Sequence, residues 1–346
     1  MNKSTNNLST SQPLNPSSRA STRDNPSTPN LYPQPMPTCL CCHRKLNSSE
    51  KDYHTACATD LFGDRSVPVL DQSNADIEQL AAKWLHTHSA VTGVQPKLSL
   101  HWTKKSGAPR LTIVGTLEGQ FILKTPYDHY PHMPELEALC MNMARACGIP
   151  TVPFGLIRLQ DGALAYITHR IDRSGRKRIA MEDMCQLSER QTEHKYHGSH
   201  EQIAKLIAQH SNRTLLDLVR YYEVVLFSFL IGNNDMHLKN FSLFAPTVKN
   251  YELAPAYDLL ATALLLPSDK EELALNLNGK KKRLKRIDFE TAMAAQLPEK
   301  IIANLFERIA NGMKVWPQLV RSSYVPASMK AEFPLLLLQK RKQLGL

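Results

Sequence analysis

The stretch from Thr214 to Ile231, TLLDLVRYYEVVLFSFLI, is apolar nearly all round and reads as a helix buried in a core, with Asn212 as its N-cap. It runs without a break into GNNDMHLKN, Gly232 to Asn240. A buried helix that delivers the chain straight into a polar loop constrains the fold strongly, because the loop is then held from behind by a rigid support. Within the loop, Asp235 and Asn240 stand in an Asp-x4-Asn spacing. An acid there can accept the proton of an attacking hydroxyl, and an amide oxygen beside it can ligate Mg²⁺. Taken alone, these residues are also ordinary turn formers, so the rest of the chain has to decide.

Downstream, ELAPAYDLL brings in a second acid, Asp258, which can hold metal on the opposite side of a phosphate chain. Upstream, GQFILKTP reads as a strand ending in Lys124, and PELEALCMNMARACGIP as a helix with Glu135 and Glu137 near its start, Gly148 as its C-cap and Pro150 as its stop. A lysine ending a strand and a glutamate on the next helix can pair, and in protein kinases such a pair fixes the lysine on nucleotide phosphates. The plainer alternative is a surface ion pair worth ~0–1 kcal/mol. Leu111–Leu117 and Gly119–Lys124 read as a hairpin turning at Gly119, and residues 154–172 as another turning at Asp161-Gly162, with Arg170 and Asp172 at a hinge. From Met181 onward the periodicity is helical, including His200 to His210, Glu290 to Met313 and Met329 to Gln343. The expected fold is α+β: bilobal and protein-kinase-like, with a small β-rich N-lobe and a mainly helical C-lobe.

Residues 1–37 are rich in Ser, Thr, Asn and Pro and contain no Val, Ile, Phe or Trp, the composition of a disordered tail. Residues 38–70 hold Cys39, Cys42, His54 and Cys57 as C-x2-C-x11-H-x2-C. That set either closes a tetrahedral structural Zn²⁺ site or represents thiols in a reduced protein. The N-lobe is then expected over 71–178 and the C-lobe over 179–346. Seven cysteines, an odd number, suit a reducing cytoplasm, and no apolar run reaches the length of a membrane span. The net charge of +10 points to acidic partners, such as nucleotide phosphates, an acidic protein or nucleic acid. The basic run in LALNLNGKKKRLKRID reads as a solvated hairpin around Gly279 in preference to a nucleic-acid patch.

The order GVQPK, FILKTP, PELEALCMNMARACGIP, HRIDR, GNNDMHLKNFSLF, LAPAYDLL, LALNLNGK resembles the HipA-like kinases, toxins of HipBA-type toxin–antitoxin modules, over nearly everything after residue 38. The resemblance implies ATP- and Mg²⁺-dependent phosphorylation of protein serine or threonine. Asp235 would be the base, Lys239 would neutralise charge on the transferred phosphate, and Asn240 and Asp258 would hold Mg²⁺. Lys124, Glu137, Gly93, Gln95 and Lys97 would form the nucleotide site, while His237 packs the loop. It also implies an aminoacyl-tRNA synthetase as substrate, antitoxins of HipB and HipS type as partners, and DNA contact only through the antitoxin. The segment ahead of GVQPK resembles HipT, the short toxin of HipBST modules. Many such kinases carry the same Cys39, Cys42, Tyr53, His54, Cys57, Leu61, Phe62, Gly63 pattern. Family members autophosphorylate a loop serine, for which Thr92 and then Ser89 are the candidates here. A small-molecule kinase and a nucleic-acid-binding pseudokinase are the alternatives.

Overall fold

Backbone donors and acceptors in a buried strand must be paired on both sides, and that requirement shapes the first half of the chain. A computed structural model describes residues 37–87, 97–104, 108–115, 118–175 and 177–346. Two helices, α1 (Thr55–Phe62) and α2 (Asn74–Thr87), precede β1 (Lys97–Thr103), β2 (Arg110–Gly115), β3 (Phe121–Lys124), α3 (Met133–Ala146), β4 (Phe154–Arg158) and β5 (Leu164–His169). The strands form one antiparallel sheet in the order β2-β1-β3-β5-β4.

The expected hairpin of β2 with β3 is therefore wrong, since β1 lies between them. Leu98, Ser99 and Leu100 of β1 are all buried, so this strand needs a partner on each edge. Gly119 makes room for the second. Its φ is +109°, a Cβ there would stand 2.5 Å from the Leu100 carbonyl oxygen, and the next amide, Gln120, donates to that oxygen at 2.8 Å. The hairpin of β4 with β5 forms as expected, with Gly162 at φ +86°.

A two-residue pair, β6 (Arg173–Ser174) and β7 (Lys177–Arg178), leads to β8 (Met181–Asp183) and the short α4 (Met184–Leu187), whose Gln186 amide Asp183 caps. Then follow α5 (His200–His210), α6 (Thr214–Ile231), β9 (Ser242–Thr247) and β10 (Asn250–Leu253), with a second sheet ordered β10-β9-β8. Arg213, not Asn212, stands at the N-cap of α6; the Asn212 side chain accepts from the Tyr251 amide at 2.7 Å instead. Five more helices end the described chain: α7 (Thr262–Leu265), α8 (Arg286–Ala294), α9 (Glu299–Met313), α10 (Trp316–Ser322) and α11 (Ala327–Leu344). The single helix expected over 290–313 breaks between α8 and α9, where Pro298 caps the second piece. Around Gly279 only a two-residue turn forms, Asn278 and Gly279 both left-handed and Leu277 paired with Lys280.

Helix α6 is the centre of the core. Tyr221, Tyr222, Phe227 and Phe229 are fully buried on it, and it touches α3, α5, α9 and α11. Met36–Leu346 form one contact unit whose buried apolar cluster runs from Cys39 to Leu344. Among the described residues no helix is long and apolar enough to cross a membrane.

Candidate active site

In the ladder of β1 with β3, Lys97 faces Lys124, and in the ladder of β3 with β5, Lys124 faces Tyr166. Two ammonium groups opposite one another repel, and the chain answers with acids from two other segments. Lys124 Nζ donates to Glu137 Oε1 of α3 at 2.6 Å and also to Asp258 Oδ1, while Lys97 Nζ donates to Asp258 Oδ2 at 3.0 Å. The Lys124 ammonium also lies 5.2 Å from the Tyr166 ring centroid. Lys124 and Glu137 are buried, whereas the Asp258 side chain keeps 26% of its surface open. Burial alone would depress the Lys124 pKa, but the Asp258 and Glu137 carboxylates raise it, so it stays charged. Burial likewise works to raise Asp258, and Lys124 with Lys97 outweighs it, holding the carboxyl well below the usual range. Burial raises the Glu137 carboxyl, with Lys124 pulling against it.

Asp258 has φ +55°. A non-glycine residue in this region stores ~1–3 kcal/mol, and such residues persist where the surroundings fix them. Those surroundings are visible. The Ala256 amide donates to Pro150 O, the Val152 amide donates to Ala256 O, and Tyr257 Oη donates to Lys239 O at 3.2 Å. The segment carrying Asp258 is thus pinned to the chain just past α3 and to the polar loop.

The loop leaves α6 at Gly232, left-handed at φ +72°. Its Gly232 oxygen accepts from the Ala263 amide, and the Asn234 amide donates to Thr262 Oγ1 at 2.9 Å, so α7 supports it. The Asp235 amide donates to Asn233 Oδ1, and Asn240 Oδ1 accepts from the His237 amide at 3.2 Å. Lys239 Nζ pairs with Asp183 Oδ2 at 2.8 Å. Asp235 itself accepts a hydrogen bond from Tyr196 Oη at 2.6 Å, and the Tyr196 ring meets His237 edge-on at 5.1 Å. Burial and then the Asp235 carboxylate raise the Tyr196 phenol. Burial pushes His237 down to about 4 against the pull of Asp235, which leaves a neutral ring suited to packing.

The structure brings Lys97, Lys124, Glu137 and Asp258 together and places Asp235, Lys239 and Asn240 on one short loop bonded to the Asp258 segment. Gly93, Gln95, Thr92 and Ser89 lie outside the described residues, as does the N-terminal tail. Sequence reasoning missed Asp183 and Tyr196. Asp183 is itself the N-cap of the capping box that starts α4, a local role that hides its second use. Tyr196 sits in a loop whose contact with Asp235 comes from the Leu238 amide bonding Lys195 O at 3.1 Å. A cavity of about 280 Å³ lined by Phe62, Trp102, Phe121 and His169 lies elsewhere; none of Lys124, Asp235, Asn240 or Asp258 borders it.

The chain is 31% identical over 246 residues to "Putative kinase Y4dM" of Sinorhizobium fredii, covering 66% of this chain and 59% of that protein. It is 27% identical over 191 residues to a "Putative kinase" of Haemophilus influenzae, covering 50% and 53%. It therefore spans little more than half the length of these relatives. Among solved structures, the HipA of a Shewanella oneidensis MR-1 toxin–antitoxin complex with HipB and operator DNA superposes with a TM-score of 0.62 at 24% identity, over 74% of this chain and 65% of that one. The Helicobacter pylori proinflammatory kinase CtkA gives 0.50 at 15% identity, over 71% and 93%. At these identities the two structures speak for the fold alone. A model of the HipA-like C-terminal domain matches residues 89–316, from the segment before β1 through to α10, and the chain belongs to that family.

Proposed function

We propose that the chain is an ATP-dependent protein serine/threonine kinase with a two-lobed, kinase-like arrangement, acting in the cytoplasm as the toxin of a HipBST- or HipBA-type module. The observation that carries this reading is the buried Lys124 ammonium held between Glu137 and Asp258. A buried charge is costly to keep, and a lysine fixed between an acid on a helix and an acid open to solvent suits a phosphate group. One carboxylate, Asp258, and one amide oxygen, Asn240, are the hard oxygen donors that Mg²⁺ takes. When bound, Mg²⁺–ATP supplies the phosphoryl group and the neutralisation of its oxygens. Lys124 would grip the phosphates, Glu137 would hold Lys124 in line, and Asp258 with Asn240 would take the metal. Asp235 would accept the proton of the attacking hydroxyl, with Tyr196 orienting its carboxylate. Lys239, tethered by Asp183, would face the charge on the transferred group. The substrate would be an aminoacyl-tRNA synthetase, with HipB- and HipS-type antitoxins as partners and DNA reached only through them.

Purified protein incubated with labelled ATP and cell lysate is expected to label a protein band, and Asp235→Asn to lower that labelling by about 10²–10⁴-fold. Expression of the wild-type chain is expected to arrest growth, and Asp235→Asn or Asp258→Ala to relieve the arrest. Label found only in small molecules, or arrest that persists in both variants, would overturn the reading.

A further inference from the structure

Cys39, Cys42, His54 and Cys57 fall outside the site just described, yet their ligand atoms all lie within 4.8 Å of one another. Cys42 Sγ is 3.3 Å and Cys57 Sγ 3.9 Å from His54 Nδ1. Ligands about 2.3 Å (sulfur) and 2.0–2.1 Å (nitrogen) from a central ion at tetrahedral angles stand roughly 3.5–3.8 Å apart, so these spacings match a closed S₃N set. The other ring nitrogen of His54 sits 3.0 Å from the Lys45 carbonyl oxygen. With the proton on Nε2 donated to that carbonyl, Nδ1 presents its lone pair to the thiols, the outer contact that metal-bound histidines use. The His54 amide points at Cys39 Sγ at 3.4 Å. The backbone is shaped to match: His43 is left-handed at φ +57° directly after the C-x2-C turn, and the His43 amide returns to Cys39 O. His54 and Cys57 lie one turn apart at the start of α1. All seven cysteines are free, and a disulfide would use only two of these four donors.

The turn between Cys39 and Cys42 does not hang free. The carbonyl of Cys41, inside it, accepts from Asn142 Nδ2 of α3 at 2.7 Å, and Asn142 also donates to Ala138 O. The Leu40 carbonyl accepts from the Leu156 amide of β4, and Tyr53 Oη returns to Leu156 O at 2.6 Å. The approach is so close that a Cβ on Gly155 would lie 2.2 Å from the Tyr53 hydroxyl. Helix α3 is the one that carries Glu137 to Lys124.

We propose that Cys39, Cys42, His54 and Cys57 bind one Zn²⁺, and that the metal-closed knuckle is a splint on α3 and β4 that holds Glu137 in place for Lys124. Four protein ligands leave no open position, so the role is structural. The second half rests on the kinase reading only for its consequence in activity; metal content and helix order test it independently.

Purified full-length chain is expected to contain about one equivalent of zinc, lost on Cys39→Ser or Cys57→Ser and retained on Cys41→Ser, whose thiol lies outside the four. Stripping wild-type protein with a chelator is expected to raise amide hydrogen exchange across residues 133–146 about tenfold, and adding Zn²⁺ back to reverse it. Asn142→Ala is expected to keep the zinc but uncouple it, so that chelation no longer changes exchange in α3. Wild-type protein that folds with no bound zinc, and is unchanged by chelator or added Zn²⁺, overturns the site. Bound zinc whose removal leaves α3 exchange unaltered overturns the splint.

Discussion

At the residue scale, the candidate site depends on charges that would be intolerable singly. Lys97 and Lys124 face one another across two strands, and Asp258 and Glu137 make that pairing stable. Removing one member of such a set strands the others, which for a buried pair costs ~3–5 kcal/mol. The tyrosine on Asp235 is a different kind of contact, because Tyr196 is 40% exposed and its hydroxyl can be removed without opening a hole. Tyr196→Phe keeps the ring on His237 and deletes only the donor. Losing one orienting hydrogen bond of roughly 1 kcal/mol is expected to lower kcat about fivefold, with the KM for ATP unchanged. Single-turnover phosphorylation at saturating ATP reads this; an unchanged rate would make the hydroxyl a bystander.

At the element scale, the site is built where regular structure stops. Helix α6 ends at a left-handed Gly232, and the chain turns there into the loop that carries Asp235 and Asn240. A Cβ at Gly232 would stand 2.9 Å from Leu336 Cδ2 of α11 and 3.0 Å from the Ala263 Cβ of α7. Gly232→Ala is expected to destabilise the protein by ~1–2 kcal/mol from the backbone alone and to lower Tm by about 1–3 °C. Thermal unfolding followed by circular dichroism measures it. The helix itself was legible in its sequence, to the residue at both ends, because an all-round apolar pattern bounded by a glycine has few other readings. Its N-cap was not: Asn212 has the side chain of a cap but spends it on the Tyr251 amide, a contact with β10 that lies 39 residues away in sequence.

At the scale of the whole molecule, one core joins the knuckle, the sheet and the helices, and it encloses ionisable groups that titrate far from their usual range. His200 is fully buried, with Nδ1 2.6 Å from the Tyr221 hydroxyl, and burial pushes its pKa from 6.5 down to about 3. Between those values the unfolded chain takes up a proton that the folded chain refuses, so stability falls as pH drops through that window. Urea unfolding of His200→Gln between pH 4 and pH 6 is expected to show a pH slope shallower than wild type by up to about 1.4 kcal/mol per pH unit. What the sequence determined by itself were the local matters: the polar loop after α6, the strand ending in Lys124, the helix bearing Glu137, the hairpin of β4 with β5, and the C-x2-C and H-x2-C pairs of the knuckle. Each is written within a few residues of its own position, in periodicity and turn chemistry. Only the tertiary structure decided that β1 parts β2 from β3, that Lys97 shares Asp258 with Lys124, that Tyr196 meets Asp235, and that Asn142 ties the knuckle to α3. Those outcomes depend on strand register and on contacts between segments tens of residues apart, which no local pattern encodes.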